Sequence, residues 1–125
     1  MDMNIHTTTS NQFTNYSDKS VTIKNNSYTE NVVVTNNEIE EFADIAIKDI
    51  EIEHLANILD DANKPDLIIF GTGSKIVYPN PKLLLELQKN SIGVEIMPIQ
   101  ALCRTFNFLI SEDRKIAAIL LFDKD

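Results

Sequence analysis

Phe13 to Thr35 reads as strands, short apolar stretches broken by polar turn residues. Ser20-Val21-Thr22-Ile23-Lys24 alternates residue by residue, Asn25-Asn26-Ser27 supplies turn chemistry, and Tyr28 to Thr35 carries the β-branched run Val32-Val33-Val34. An antiparallel hairpin or meander is expected here, with Asn36-Asn37 as a second turn. From Asp49 the period changes. Ile52, Leu55, Ile58 and Leu59 fall at i, i+3, i+6 and i+7, which predicts an amphipathic helix to about Ala62, ended by Lys64-Pro65. Leu67-Ile68-Ile69-Phe70 is apolar at every position, as a strand covered on both faces must be, and Gly71-Thr72-Gly73-Ser74 closes it. Asn80 as N-cap and Pro81 at the first helical position open a helix through about Lys89, with Leu84 and Leu87 facing inward. Val94 to Met97 reads as a short strand, Pro98 opens a helix to about Ser111, and Lys115 to Phe122 reads as a final apolar strand.

The first third is therefore β, and the remainder alternates β-α-β-α-β. Such alternation predicts an α/β fold, a three-layer domain whose sheet is flanked by helices, with the leading β segment as an added layer or edge. Residues 1–11 are polar and without period and read as a disordered tail, leaving 12–125 as one domain.

Composition narrows the function classes. At 125 residues and 43% hydrophobic, the chain suffices for one core, and no apolar run reaches the length of a membrane span. A net charge of −8 disfavours nucleic acid, whose phosphates are bound through Lys and Arg. One cysteine cannot close an internal disulfide, and neither a secretory nor a mitochondrial leader is apparent, so a cytoplasmic location is expected. The charge is uneven: ten acids against Lys48 and Lys64 put −8 on Glu38 to Asp66, and the rest balances. Gly and Arg are scarce beside 13 Asn and 17 Ile, a bias resembling AT-rich coding, yet Gly71 and Gly73 stand together and Arg104 and Arg114 lie close.

Two places invite chemistry. Gly71-Thr72-Gly73-Ser74 ends a strand, where glycines let backbone N–H groups converge on an anion or simply make a tight turn. It is neither the G-x-G-x-x-G fingerprint nor a P-loop, because Val77 stands at the third glycine position and no helix begins before Pro81. On the helix after Pro98, Gln100, Arg104, Asn107 and Ser111 share one face, opposite a packing side of Ala101, Leu102, Thr105, Phe106, Leu109 and Ile110. Arg104 and Asn107 could grip a carboxylate or phosphate there, or satisfy the fold, Arg104 pairing with an acid such as Glu112. Cys103 lacks a neighbouring base, since His6 falls in the tail and His54 on the acidic helix, so a buried, inert thiol is expected. Two histidines and one cysteine far apart match no zinc spacing, and no metal or cofactor is expected.

The second half also carries a resemblance. Gly71-Thr72-Gly73, Gly93-Val94-Glu95-Ile96-Met97, Ala101-Leu102-Cys103-Arg104-Thr105-Phe106-Asn107-Phe108-Leu109 and Ser111-Glu112-Asp113-Arg114-Lys115-Ile116-Ala117-Ala118 closely resemble one family. That family contains mitochondrial respiratory complex I assembly factor 3 and many short bacterial and archaeal proteins of unknown function. The likeness is strong over residues 66–122 and weaker over 12–50. It implies a three-layer α/β domain with a mixed central sheet, one strand antiparallel, plus an N-terminal β layer. Leu102 stands where the family has a small residue, Phe106 where it has Tyr, and Asp113 where it has Gly. The functional expectation is a non-catalytic protein-binding or assembly-factor-like module. The alternative is a small-anion-binding protein or enzyme, with a pocket joining Gly71, Thr72, Gly73 and Ser74 to Cys103, Arg104 and Asn107.

Overall fold

A computed structural model describes residues 10–62 and 64–123. Eight strands and two α-helices follow one another: β1 (Phe13–Tyr16), β2 (Val21–Ile23), β3 (Asn26–Tyr28), β4 (Val32–Thr35), β5 (Ile39–Glu41), β6 (Leu67–Thr72), α1 (Pro81–Lys89), β7 (Gly93–Met97), α2 (Ile99–Ser111) and β8 (Ile116–Leu121). β1, β2 and β3 form a small antiparallel sheet, and the central sheet runs in the order β5-β4-β8-β6-β7. β6 is parallel to both β7 and β8, while β4 pairs antiparallel with β8 and with β5. β4 alone thus opposes the other four strands, which is the mixed sheet that the resemblance implied.

Alternation along the strands divides the core into two layers. Val32, Val34, Ile69, Ala118 and Leu120 face α2 and the small sheet. Val33, Ile68, Phe70, Ala117 and Ile119 face α1 and the segment 47–58. Because β6 and β8 lie inside the sheet and are covered on both faces, nearly every residue in them is apolar.

Several expectations are corrected. The helix expected over 49–62 is instead two 3-10 turns, Ile47–Asp49 and Ile52–Leu55. Ile52, Leu55 and Ile58 are spaced by three, the period of a 3-10 helix, and a strict three-residue spacing drifts off one face of an α-helix. His54 closes the second turn, accepting from Glu51 N–H through Nδ1 at 2.9 Å, while the Glu51 side chain accepts from the His54 backbone. The β2–β3 hairpin turns at Lys24-Asn25, one residue before the expected turn, with both residues at positive φ (50° and 70°) as a two-residue turn demands. The expected strand from Tyr28 to Thr35 breaks at Thr29-Glu30-Asn31, so its halves enter different sheets. β5, three residues with two acids, follows the Asn36-Asn37 turn and gave no apolar signal in the sequence. Leu83, rather than Leu84, joins Leu87 as the buried pair of α1. Most of the expected tail lies outside the described residues, but Asn11 is buried: its N–H bonds Asn36 O and its Nδ2 bonds Thr35 O and Glu38 O.

Asp113 sits at φ 62° in the turn after α2, a left-handed conformation that costs an L residue about 1 kcal/mol and glycine nothing. Asp113→Gly, which restores the glycine of the resembling family, is expected to raise unfolding stability by about 0.5 kcal/mol in urea titration. A decrease would show that the Asp113 side chain contributes more than its backbone strain removes.

Candidate functional site

The carboxyl ends of parallel strands are the usual place for ligands in α/β sheets. Here β6 ends in Gly71 and Thr72, and the chain turns through Gly73 at φ +55°. Each glycine has a packing reason. A Cβ on Gly71 would stand 2.8 Å from Leu102 Cδ1 and 3.3 Å from Ile99 Cγ1, so its absence lets α2 lie against β6. A Cβ on Gly73 would collide with the Asp123 carboxylate, and Gly73 O accepts from Ile99 N–H at 2.9 Å, joining the turn to the start of α2. Thr72 is buried, its Oγ1 donating to Lys75 O and accepting from Val77 N–H at 3.3 Å. Ser74 is exposed. The turn is thus organised by its own hydrogen bonds, with a carboxylate against Gly73 where an anion would otherwise approach.

The polar face expected on α2 divides. Asn107 clamps β1: its Oδ1 accepts from Phe13 N–H at 2.8 Å and its Nδ2 donates to Phe13 O at 2.9 Å. Gln100 Nε2 donates to Asp18 Oδ1 at 3.1 Å, and Ser111 Oγ donates to Phe108 O at 2.6 Å. Arg104 is exposed, and among the described residues it forms no ion pair with Glu112. The packing side is Ile99, Leu102, Cys103, Phe106 and Ile110; Ala101, Thr105 and Leu109 are only half-buried.

Cys103 is fully buried, and burial pushes its thiol from 9.0 up to about 12, with the Arg104 charge opposing the shift. Such a thiol is protonated at neutral pH and is no nucleophile. Iodoacetamide at pH 8 is expected to leave Cys103 unmodified in the folded chain and to alkylate it once denaturant is added, as read by intact mass. The raised pKa also sets a direction. The unfolded thiol ionises above its ordinary value while the folded one keeps its proton, so this contribution to stability holds below about 9 and is lost as pH rises toward about 12.

At the same end of the sheet lies an open cavity of about 390 Å³, walled by Asn31, Ile45, Ile47, Thr72, Val77 and Phe122, with Asp123 at its border. Cys103, Arg104 and Asn107 are not among its lining residues, so the expected pocket joining both motifs is not the one formed here. Sequence reasoning missed Asn31 and the loop beyond the glycines. Asn31, buried among strand ends, donates from Nδ2 to Ala43 O at 3.0 Å and accepts from Phe122 N–H at 2.9 Å. Ile76, Val77 and Tyr78 stand 49%, 49% and 67% exposed, three apolar side chains in succession beside the cavity. An apolar run in a loop that closes on Pro79-Asn80-Pro81, with no strand or helix to bury it, was the available signal.

The fold recurs in known proteins. A Bordetella pertussis protein described as an Mth938-like domain superposes with a TM-score of 0.77 at 22% identity, over 92% of this chain and 87% of that one, which establishes the fold. The 13 kDa major membrane protein of Francisella tularensis is 32% identical over 75 residues, 60% of this chain and 59% of that protein. Among the described residues of this chain, no helix is long and apolar enough to cross a membrane. NADH dehydrogenase (ubiquinone) 1 alpha subcomplex assembly factor 3 of Xenopus tropicalis is 32% identical over 74 residues, 59% of this chain and 40% of that protein. The match therefore spans less than two thirds of either curated relative. A family model matches from residue 13 to residue 121, taking in both sheets, both helices and the Gly-Thr-Gly turn, and by that match the chain belongs to the family of proteins of unknown function DUF498/DUF598.

Proposed function

We propose that this chain is a non-catalytic protein-binding module of the assembly-factor kind, acting in the cytoplasm. The observation that carries the reading is the exposed run Ile76-Val77-Tyr78 beside the cavity at the carboxyl end of the central sheet. Leu85 and Phe108 are exposed singly, whereas three consecutive exposed apolar side chains make a contiguous patch of the kind that marks an interaction surface. Support comes also from the groups that chemistry would have used. The thiol is buried and protonated, the Asn107 amide is spent on β1, and each glycine has a packing role. The assembly-factor name of the Xenopus relative points the same way. The one unpaired thiol suits a reducing compartment.

The test is a pulldown from lysate of the native host. Ile76→Ser combined with Tyr78→Ser is expected to lower recovery of the co-purifying protein about fivefold or more, while the exposed positions leave the melting temperature nearly unchanged. The reading fails if the double variant retains the same complex, or if the wild-type chain repeatedly elutes alone.

A further inference from the structure

β5 is hydrogen-bonded on one side only, by β4, and β3 on one side only, by β2, among the described residues. Thr35 N–H bonds Glu38 O and Phe42 N–H bonds Asn31 O, which fixes the phase of the β4–β5 ladder. In an antiparallel pair, bonded and non-bonded positions alternate, so Glu40 is tied to Val33 while Ile39 and Glu41 direct their backbone N–H and C=O groups away from the sheet. β3 and β5 border one groove of about 360 Å³. Its apolar lining includes Tyr28, Val32, Ile39 and Phe42; Glu30, Glu40 and Glu41 line it too, and no Lys or Arg does. The groove opens at the start of the −8 segment and shares Asn31 and Asp44 with the cavity beside Ile76-Val77-Tyr78.

We propose that this groove takes up an extended, lysine- or arginine-bearing segment of a partner protein as a strand added to β5. The inference rests on the protein-binding reading above and adds the docking edge and the chemistry of the partner. Backbone pairing to an open edge supplies affinity without regard to sequence, and alternate side chains supply selection. Ile39 and Glu41 share one face of β5 and Glu40 lies on the other, so one set of side chains meets the apolar lining with Glu41 beside it and the other meets Glu40. A basic strand neutralises the Glu30, Glu40 and Glu41 cluster, whereas an acidic one is repelled.

The probe is a capped eight-residue peptide alternating lysine and valine, added to the isotopically labelled chain while amide hydrogen exchange is followed by NMR. The free chain is expected to exchange the outward Ile39 and Glu41 amides quickly and the inward Glu40 amide slowly. The peptide is expected to slow Ile39 and Glu41 about tenfold or more. A version with glutamate for lysine, or with proline at its two central positions, is expected to leave them unchanged. Glu40→Lys with Glu41→Lys is expected to weaken the peptide about tenfold or more. Binding without protection of Ile39 and Glu41, or no binding to the wild-type chain, overturns the added strand. If the peptide fails while the Ile76 and Tyr78 double variant still loses its native partner, the groove assignment falls and the protein-binding reading stands.

Discussion

Asn107→Ala is expected to lower the unfolding free energy by about 2–4 kcal/mol, read from urea titration. The amide makes two bonds to one residue, taking the N–H and giving to the carbonyl of Phe13, as a neighbouring strand would. It does so where β1 needs a substitute neighbour. The β1–β2 register shifts between Phe13 and Asn15, so the ladder is interrupted at that point. Truncation leaves both backbone groups without their partner in a half-buried place, and each such loss costs about 1–3 kcal/mol. Asn107→Asp sharpens the test. A carboxylate still accepts from Phe13 N–H, but it repels the carbonyl that Nδ2 had satisfied, so stability is expected to fall at neutral pH and to recover partly in acid, where the carboxyl is protonated. If Asn107 were free to grip a ligand, its removal would leave stability intact.

The long-range partner explains why this role could not be read from the chain. The residues joined by Asn107 are 94 positions apart, and those joined by Asn31 and Asn36 are 91 and 80 apart. Local patterns say nothing of such distances, and an abundance of Asn looked like coding bias. By contrast, the start of α1 was readable to the residue because its signals are adjacent: the Asn80 side chain accepts from Lys82 N–H, and Pro81 follows at once. β6 and β8 were readable because strands inside a covered sheet must be apolar throughout. β5 was not, since an edge strand with Glu40 and Glu41 exposed buries little and leaves no period. For the site, sequence located the Gly-Thr-Gly turn at a strand end but not the reason for it. Leu102 fills space that Gly71 vacates, a complementarity between two segments that neither betrays alone.

Phe106→Ala is expected to cost about 3–5 kcal/mol, the range for emptying a fully buried aromatic site. The ring meets Phe13 edge-on, centroids 5.1 Å apart and planes at 76°, the arrangement in which the edge of one ring lies against the face of the other. In the resembling family a Tyr stands here, and in this chain the position has no solvent exposure, so losing the hydroxyl removes a group that would need a buried partner. Part of the cost is specific to the ring pair. A double-mutant cycle of Phe13→Ala and Phe106→Ala is expected to show coupling of about 0.5–1.5 kcal/mol. Additive losses would mean that Phe106 acts through general packing alone. Phe13 is thus held twice from α2, by the ring of Phe106 and by the amide of Asn107, and it is the first residue of the small sheet whose far edge borders the groove beside β5. Loosening that anchor frees β1, β2 and β3 to shift relative to β5. Phe106→Ala is therefore expected to weaken the lysine–valine peptide as well as the fold, although no atom of Phe106 lines the groove. Unchanged peptide binding in a folded Phe106→Ala chain would show that β5 alone provides the docking edge.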